Sequence, residues 1–308
     1  MNLIDRLQAA FPLSRAEAAS MIETAPRRYK IHLIEKRNGR GLRQIAQPTA
    51  ELKLVQRWIV ANYINALPVH QAAMAYRPDL GIKDHAKEHA TKKYLLKLDF
   101  RDFFPSIKAN DFKQHLTRHT EISEADKVAI TRLLFRYDRE NQDMRLSIGA
   151  PSSPSVSNTV MFHFDTIASD YCNAAGVQYT RYADDLAFST NTPHILDELQ
   201  NFVRETCRQL DYPRLTLNEE KSVFTSKKFQ RQLTGLILTN EGSVSLGREK
   251  KRLMRAMAHR FNLGTLSLDD TKKLRGLLAF AISIEPEYVN SIIRMIGEPS
   301  YKSLMRGN

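Results

Sequence analysis

The chain has 308 residues, 46 Lys and Arg against 34 Asp and Glu, a formal net charge of +12, and 42% hydrophobic residues. That hydrophobic fraction excludes wholesale disorder, and the two cysteines, Cys172 and Cys207, exclude a disulfide framework or a four-cysteine zinc site. The longest charge-free apolar run, near Leu277–Ile284, is far shorter than the ~18–20 residues of a membrane span, and no signal-peptide stretch opens the chain, so we expect a cytoplasmic protein with no membrane partner.

The N-terminal part of the chain predicts a helix, a β-hairpin and a second helix. Apolar residues at helical spacing place the first helix over Met1–Ala25. Alternating polar and apolar residues predict strands over Tyr29–Ile34 and Leu42–Ile45, joined by a turn at Asn38–Gly41. The second helix begins just after Pro48, which breaks the strand before it.

The central part predicts further strands and helices. Tyr94–Phe100 is a nearly continuous apolar run, which is typical of a strand buried on both faces. Helical spacing or strand alternation recurs along the chain: helices over Ala109–Thr117, Glu124–Tyr137 and Asp197–Leu210, and strands over Val177–Tyr182, Leu186–Thr190, Leu215–Phe224 and Phe229–Leu238. Ser147–Asn158 is rich in Gly, Pro and Ser, and from about Gly242 the pattern is helical.

The positive charge is concentrated in two windows. Arg27–Arg57 carries nine basic and two acidic residues, and Arg248–Arg275 carries nine basic and three acidic residues. Together they account for the whole excess of positive charge. Two separated basic surfaces on a nearly neutral body suit a long polyanionic partner, although two solvated helix faces would give the same count.

Three aspartates have positions suited to phosphoryl transfer. Asp99 ends a buried strand, and Asp184 and Asp185 stand at a hairpin tip. If the strand lies beside the hairpin, the carboxylates converge, and divalent cations such as Mg2+ must offset their repulsion. Since neighbouring strand residues face opposite ways, Asp184 and Asp185 should have unequal roles. A salt bridge or an ordinary turn explains each acid equally well when it is taken alone.

The segments around these aspartates resemble the palm of reverse transcriptases. The resemblance is carried by Leu98–Ile107 and by Tyr182–Asp185, which reads Tyr-Ala-Asp-Asp. Further blocks resemble bacterial reverse transcriptases in the same order: Arg40–Pro48 with Leu52–Ile59, Gly149–Asn158, Leu217–Ser222 and Leu233–Leu236. The resemblance implies an α+β right-hand polymerase fold. Its parts would be an N-terminal helical extension over 1–26, fingers and palm over 27–240, and a helical, RNA-binding thumb over 241–308.

Within that superfamily the chain resembles retron enzymes. Its length leaves no room for an RNase H, endonuclease or large maturase domain. Ile82–His89 resembles the retron segment Asn-Ala-x-x-His with His85 in place of Asn, and Leu233–Gly235 resembles Val-Thr-Gly with Leu in place of Val. Ile148 replaces a Gln common in relatives. The alternatives are a reverse transcriptase of a diversity-generating element or group II intron and, in another class, a catalytically inactive RNA-binding scaffold.

The resemblance implies template-directed transfer of deoxynucleotides to a primer hydroxyl. It assigns two Mg2+ ions to the catalytic acids Asp99, Asp184 and Asp185 and to the Phe100 backbone carbonyl. It assigns the incoming dNTP to Lys36, Arg43, Asp102, Phe103, Phe104, Gly149 and Lys221. Phe104 would exclude a ribose 2′-hydroxyl, and Lys221 would hold or protonate pyrophosphate. The alternatives are core packing for the ring and ordinary surface charges for the cations.

The same resemblance implies a structured non-coding RNA (msr-msd) as partner. Its predicted contacts are His85, Ala86, His89, Leu233, Thr234, Gly235, Arg248, Lys250, Lys251, Arg252 and Arg255. A metal site between His85 and His89 is rejected, because no third ligand is evident. Synthesis would start from the 2′-hydroxyl of an internal guanosine and yield msDNA, a branched RNA-linked single-stranded DNA. The expected role is anti-phage defence, with a toxin or other effector protein as a further partner.

Overall fold

The computed structural model describes residues 2–35 and 41–306, and the chain begins with two helices. These are α1 (Leu3–Ala10) and α2 (Arg15–Thr24). The single helix predicted over Met1–Ala25 is therefore wrong. Pro12 lacks a backbone N–H and disfavours helix at the residue before it, and Ser14 starts the second helix through a reciprocal capping box with Glu17.

A two-stranded antiparallel hairpin follows, formed by β1 (Tyr29–Glu35) and β2 (Leu42–Pro48), and it leads into α3 (Ala50–Asn62). Both strands and the helix after Pro48 are confirmed. The predicted turn at Asn38–Gly41 lies outside the described residues except for Gly41. The base of the hairpin is fixed to the body of the protein, because the Ala46 N–H donates to the Ile148 carbonyl at 2.8 Å.

The middle of the chain combines strands with the helices that cover them. In chain order the elements are α4 (Ile82–Ala90), β3 (Tyr94–Asp99), α5 (Phe103–Ser106), α6 (Ala109–His119), α7 (Glu124–Leu134), β4 (Arg136–Asp138), β5 (Asp143–Arg145), α8 (Ser153–Val160), α9 (Phe162–Ala174), β6 (Gln178–Tyr182), β7 (Asp185–Thr190), α10 (Leu199–Gln209) and β8 (Val223–Ser226). Two predictions need correction. The helix predicted over Glu124–Tyr137 ends at Leu134, and the strand predicted over Leu215–Phe224 is only β8, because Glu219–Lys221 forms a 3-10 turn.

Four of these strands form the central antiparallel sheet, in the order β6-β7-β3-β8. The two inner strands are covered on both faces, as the apolar run of β3 predicts. Leu96 and Leu98 belong to a large core with the helices of the middle part. Leu95 and Ala187 belong to a second core with the C-terminal helices. The sheet therefore separates two hydrophobic cores.

The C-terminal part contains a small sheet and four helices. Its elements are β9 (Arg231–Leu233), β10 (Leu236–Leu238), β11 (Val244–Ser245), α11 (Arg248–Asn262), α12 (Leu268–Ile284), α13 (Pro286–Ile296) and α14 (Glu298–Arg306). The strand predicted over Phe229–Leu238 is divided into β9 and β10 by Thr234 and Gly235, which have φ angles of +46° and +81°. A single strand cannot accommodate two consecutive left-handed residues.

The architecture is α+β, as the sequence predicts, with the antiparallel sheets and the helices contributed by different stretches of the chain. Within residues 2–35 and 41–306, no helix has both the length and the apolar character needed to cross a membrane.

Candidate active site

The three predicted carboxylates lie together at one end of the central sheet. Asp99 is the last residue of β3 and is paired in register with Asp185, the first residue of β7. Directly opposed residues of an antiparallel pair extend from the same face of the sheet. Asp184 precedes β7 in a tight turn where Ala183 has a φ of +58°. The Asp184 carbonyl accepts a hydrogen bond from the Phe100 N–H at 3.2 Å. The chain thus brings all three acids to the same end of the sheet.

Burial and repulsion from neighbouring carboxylates disfavour the charged forms of Asp184 and Asp185. Burial and, after it, the charges of Asp184 and Asp99 raise the pKa of Asp185 to about 7. The pKa of Asp184 is also raised, first by burial and then by Asp99, while Lys221 and Arg43 oppose the rise. Carboxylates that repel one another in this way are stabilised by a cation placed between them.

A lysine ammonium partly neutralises the acids in this structure. Lys221 Nζ donates to Asp99 Oδ1 at 2.8 Å and to Oδ2 at 3.0 Å. Its side chain is 53% exposed, so it can leave Asp99 without disturbing either core. Across the described part of the chain, no three His, Cys, Asp or Glu side chains are grouped closely enough to hold a metal ion as they stand. The carboxylate oxygens of Asp99, Asp184 and Asp185 are nevertheless the type of ligand that Mg2+ prefers, and in this structure those of Asp99 bind the Lys221 ammonium group instead.

A buried ion pair supports the turn that carries Asp184. Arg181 and Asp165 are both fully buried, and their closest N–O distance is 2.6 Å. Arg181 Nη1 also donates to the Ala183 carbonyl at 3.1 Å, and the Tyr179 hydroxyl donates to Asp165 at 2.8 Å. The sequence pattern did not single out this pair, although an arginine inside a buried strand was an available signal. Its effect is to fix the backbone beside Asp184 and Asp185.

A cavity of about 410 Å3 opens between α3, α5 and the segment Ser147–Pro154. Two predicted dNTP contacts, Phe104 and Gly149, line it, together with Tyr76, Lys53 and Arg57, which were not predicted. The Tyr76 and Phe104 rings are 6.4 Å apart. Gly149 has a φ of +113°, and an added Cβ would lie 3.1 Å from the Ala46 carbonyl oxygen. A glycine is therefore required where the hairpin meets this cavity.

The other predicted dNTP contacts differ in accessibility. Asp102 is exposed and has a φ of +46° just before α5. Phe103 is buried, and its ring lies parallel to that of Phe100 at 5.9 Å, so only its backbone remains for a phosphate. Arg43 is exposed on β2. Burial and Asp99 raise the pKa of Asp184, and the positive charge of Arg43 is close enough to oppose that rise. Lys36 lies outside the described residues.

The expectation that His85, Ala86 and His89 contact RNA is wrong for their side chains, because none of the three has exposed surface. His89 Nδ1 bonds Ser189 Oγ and Nε2 bonds Thr180 Oγ1, both at 2.7 Å, so α4 is attached to the central sheet. Burial lowers the pKa of His85 to about 3 and the pKa of His89 well below its usual value. These histidines are neutral structural groups, and both ring nitrogens of His89 are already hydrogen-bonded to hydroxyl groups.

Leu233 is also buried, at 2% exposure, and the predicted RNA contact through its side chain is corrected for the same reason. Thr234 and Gly235 form the half-buried turn after it, and Lys250 Nζ donates to the Gly235 carbonyl at 2.7 Å. Lys251 forms an ion pair with Glu285. The remaining predicted contacts are exposed on α11 and are Arg248, Arg252 and Arg255.

The comparisons with known proteins agree with this geometry. A family model described as "Reverse transcriptase (RNA-dependent DNA polymerase)" matches residues 34–238. The retron Ec83 reverse transcriptase of Escherichia coli is 40% identical over 281 residues, which cover 90% of each chain. The retron Ec73 reverse transcriptase of Escherichia coli is 31% identical over 90% of this chain and 89% of that protein. Among solved structures, apo telomerase from Candida tropicalis is similar over 91% of this chain and 62% of that chain, with a TM-score of 0.49 at 13% identity.

Proposed function

The chain belongs to the retron-type reverse transcriptases, which are RNA-directed DNA polymerases, and from this premise we propose that it makes msDNA from its own structured non-coding RNA. Synthesis starts at the 2′-hydroxyl of an internal guanosine and gives a single-stranded DNA branched from the RNA. The observation that carries this proposal is the pairing of Asp99 with Asp185, next to Asp184, at one end of the central sheet. The 40% identity to a retron enzyme supports the retron product.

Asp99, Asp184 and Asp185 would hold two Mg2+ ions, with the Phe100 carbonyl as a further oxygen ligand. When bound, the ions would stabilise the charge on the attacking primer oxygen and on the leaving pyrophosphate. Asp99 and Asp184 would be the principal ligands, and Asp185 would complete the cluster. Lys221, which is half exposed, turns from Asp99 toward the pyrophosphate and holds or protonates it.

The incoming dNTP occupies the cavity lined by Phe104 and Gly149. The Phe104 ring lies against the sugar and excludes a 2′-hydroxyl, which selects deoxynucleotides. Arg43 and Lys36 reach the triphosphate from the hairpin, and the backbone amides of Asp102 and Phe103 contact its phosphates. Catalysis then depends on positioning and charge stabilisation.

The RNA lies along the C-terminal helices. The exposed arginines of α11 contact the RNA phosphates, and the turn at Thr234 and Gly235 lies close to the RNA backbone. Lys250 and Lys251 support that turn. The domain division that fits this assignment is an N-terminal extension over 1–26, fingers and palm over 27–240, and a thumb over 241–308. In the cytoplasm the msDNA and the enzyme act in anti-phage defence with a toxin or effector from the same operon.

The test is purification of the protein with its host RNA, followed by nuclease digestion. We expect single-stranded DNA that cannot be labelled at its 5′ end until it is debranched. Asp185→Asn should lower the DNA yield at least about 100-fold while RNA stays bound. Asp211→Asn, a change at an exposed acid that pairs with Arg118, should leave the yield unchanged.

Three results would contradict the proposal. Full DNA yield from Asp185→Asn would remove the catalytic assignment. Bound RNA without any DNA from the unaltered protein would favour an RNA-binding scaffold. DNA with a labelled 5′ end before debranching would exclude priming from an internal 2′-hydroxyl.

A further inference from the structure

Two pairs of lysines meet at the end of the central sheet opposite the carboxylates. Lys92 and Lys93 immediately precede β3, and Lys227 and Lys228 immediately follow β8. The Lys227 N–H donates to the Lys93 carbonyl at 2.9 Å, so the antiparallel pairing of the two strands holds the pairs together. Four cations are thus concentrated at this end of the sheet.

Aromatic rings lie beside these lysines. Phe229 is 71% exposed and Phe224 is 52% exposed, and both belong to the segment that carries Lys227 and Lys228. The Phe224 ring stacks on Tyr94, with centroids 6.4 Å apart and planes 18° apart. Rings left this exposed contribute little to the core and leave apolar surface open to a ligand.

The lysines of this surface lack acidic partners. Within residues 2–35 and 41–306, none of the four ammonium groups has a carboxylate oxygen within 4.0 Å. Lys227 is partly engaged, since its Nζ donates to the Asn240 carbonyl at 2.9 Å. Lys113 and Arg208, by contrast, each pair with a glutamate. The surface therefore has uncompensated positive charge at Lys92, Lys93 and Lys228.

The surface is separate from the acids. Asp99 and Tyr94 are at opposite ends of β3, five residues apart, which corresponds to about 17 Å along an extended strand. A ligand at the lysines does not touch the catalytic centre, yet one chain of a few nucleotides can span the distance.

We propose that this surface, formed by Lys92, Lys93, Lys228, Phe224 and Phe229, binds a single-stranded stretch of nucleic acid outside the polymerase centre. Bases stack on exposed rings regardless of sequence, while lysines contact the phosphates between them. A duplex would hide its bases and leave the rings without partners. The inference rests on the proposed function for the source of the strand, which is an unpaired segment of the RNA or its DNA product.

The test is equilibrium binding of fluorescein-labelled oligonucleotides of about 20 nucleotides, as single-stranded RNA, single-stranded DNA and RNA duplex, over a range of salt concentrations. Lys92→Gln/Lys93→Gln/Lys228→Gln should reduce the salt dependence of single-strand binding by about 2 in the slope of log K against log salt, at ~0.7 per phosphate contact. Phe229→Ala should weaken single-strand binding roughly tenfold and leave that slope unchanged. Lys113→Gln/Arg208→Gln, which removes two positive charges elsewhere on the surface, is the control for charge loss, and thermal unfolding checks that every variant is folded.

The outcomes separate the possibilities. Loss confined to single strands supports the proposal, and the RNA and DNA arms then show which strand is bound. Equal losses for duplex and single strands, or unchanged binding by the Phe229→Ala and triple-lysine variants, would overturn it; the second result would favour a protein partner. Because the assay contains no dNTP, its answer does not depend on whether the chain makes msDNA.

Discussion

Arg181 and Asp165 show how the catalytic turn depends on side chains that never reach the surface. The guanidinium contacts both carboxylate oxygens of Asp165 and the carbonyl of Ala183. Ala183 is a non-glycine residue at positive φ, a conformation that costs free energy unless its surroundings hold it. The ion pair supplies that support directly beside Asp184.

Replacement of Asp165 by Asn should lower the free energy of unfolding by about 3–5 kcal/mol, because it leaves the buried Arg181 charge uncompensated. Urea unfolding monitored by circular dichroism measures the change. Arg204→Gln removes an exposed ion pair with Glu219 and should cost less than about 1 kcal/mol. Equal losses for the two variants would show that the buried pair contributes no special stability.

A second residue-scale prediction concerns Gly149. A Cβ at this position would approach Ala46 O and Ile45 Cγ2 at 3.1 Å, at a φ of +113°. Gly149→Ala should therefore cost about 1–3 kcal/mol and raise the KM for dNTP severalfold, as measured by urea unfolding and primer extension. In Gly276→Ala the new methyl meets no atom within 4 Å, and α12 should gain up to about 1 kcal/mol. An unchanged KM in Gly149→Ala would separate the glycine from nucleotide binding.

Helix α4 is attached to the central sheet by hydrogen bonds as well as by apolar packing. His85 and His89 both reach Thr180 Oγ1 on β6, and His89 also reaches Ser189 on β7. His115 makes similar buried contacts with Thr159 and Tyr212. All of these imidazoles must stay neutral in the folded protein, since burial disfavours their charged forms.

The stability of the protein should accordingly fall in acid. Burial lowers the folded-state pKa of His85 and His115 to about 3, and that of His89 well below its usual value. The unfolded chain takes up these protons near pH 6.5, so stability is lost as the pH falls below that value, by up to about 1.4 kcal/mol per pH unit for each histidine. Urea unfolding between about pH 7 and pH 5 tests this.

A histidine replacement provides the control for this pH dependence. His89→Gln should flatten the loss of stability between about pH 6.5 and pH 5, since one proton fewer distinguishes the unfolded from the folded state. The exposed His194, whose side chain is 87% accessible, gives the matched variant His194→Gln, which should retain the full slope. Identical slopes for both variants would contradict the contribution of His89 to the acid sensitivity.

The elements show which parts of the structure were predictable. The apolar run Tyr94–Phe100 predicted β3 because a strand covered on both faces needs little polar surface. Helix ends were less accurate, as at Met1–Ala25, because Pro12 and the Ser14 cap act locally within an otherwise helical pattern. The segment Ile82–His89 was recognised from its motif, but the burial of its histidines was not, because their Thr180 and Ser189 partners are distant in sequence.

For the whole molecule, the opening charge of +12 is resolved into separate surfaces. The first window found in the sequence extends from the hairpin into α3, and the second extends from α11 into α12. The family match confirms the right-hand polymerase fold implied by the motifs. The lysines at the far end of the central sheet escaped notice, because Lys92 and Lys228 are distant in sequence and only the pairing of β3 with β8 joins them. Asp165 was not predicted as the partner of Arg181, because the two residues are 16 positions apart and meet only when α9 packs against β6.

The central sheet lies between two cores, and this has a mechanical consequence. Leu96 and Leu98 of β3 pack with the middle helices, whereas Leu95, on the opposite face of the strand, packs with the C-terminal helices. A pull on the C-terminal helices, as the proposed binding of nucleic acid there would exert, would reach the strand that ends in Asp99 through Leu95. Because both faces of β3 are anchored in closely packed cores, we expect the strand to resist that pull and Asp99 to keep its place.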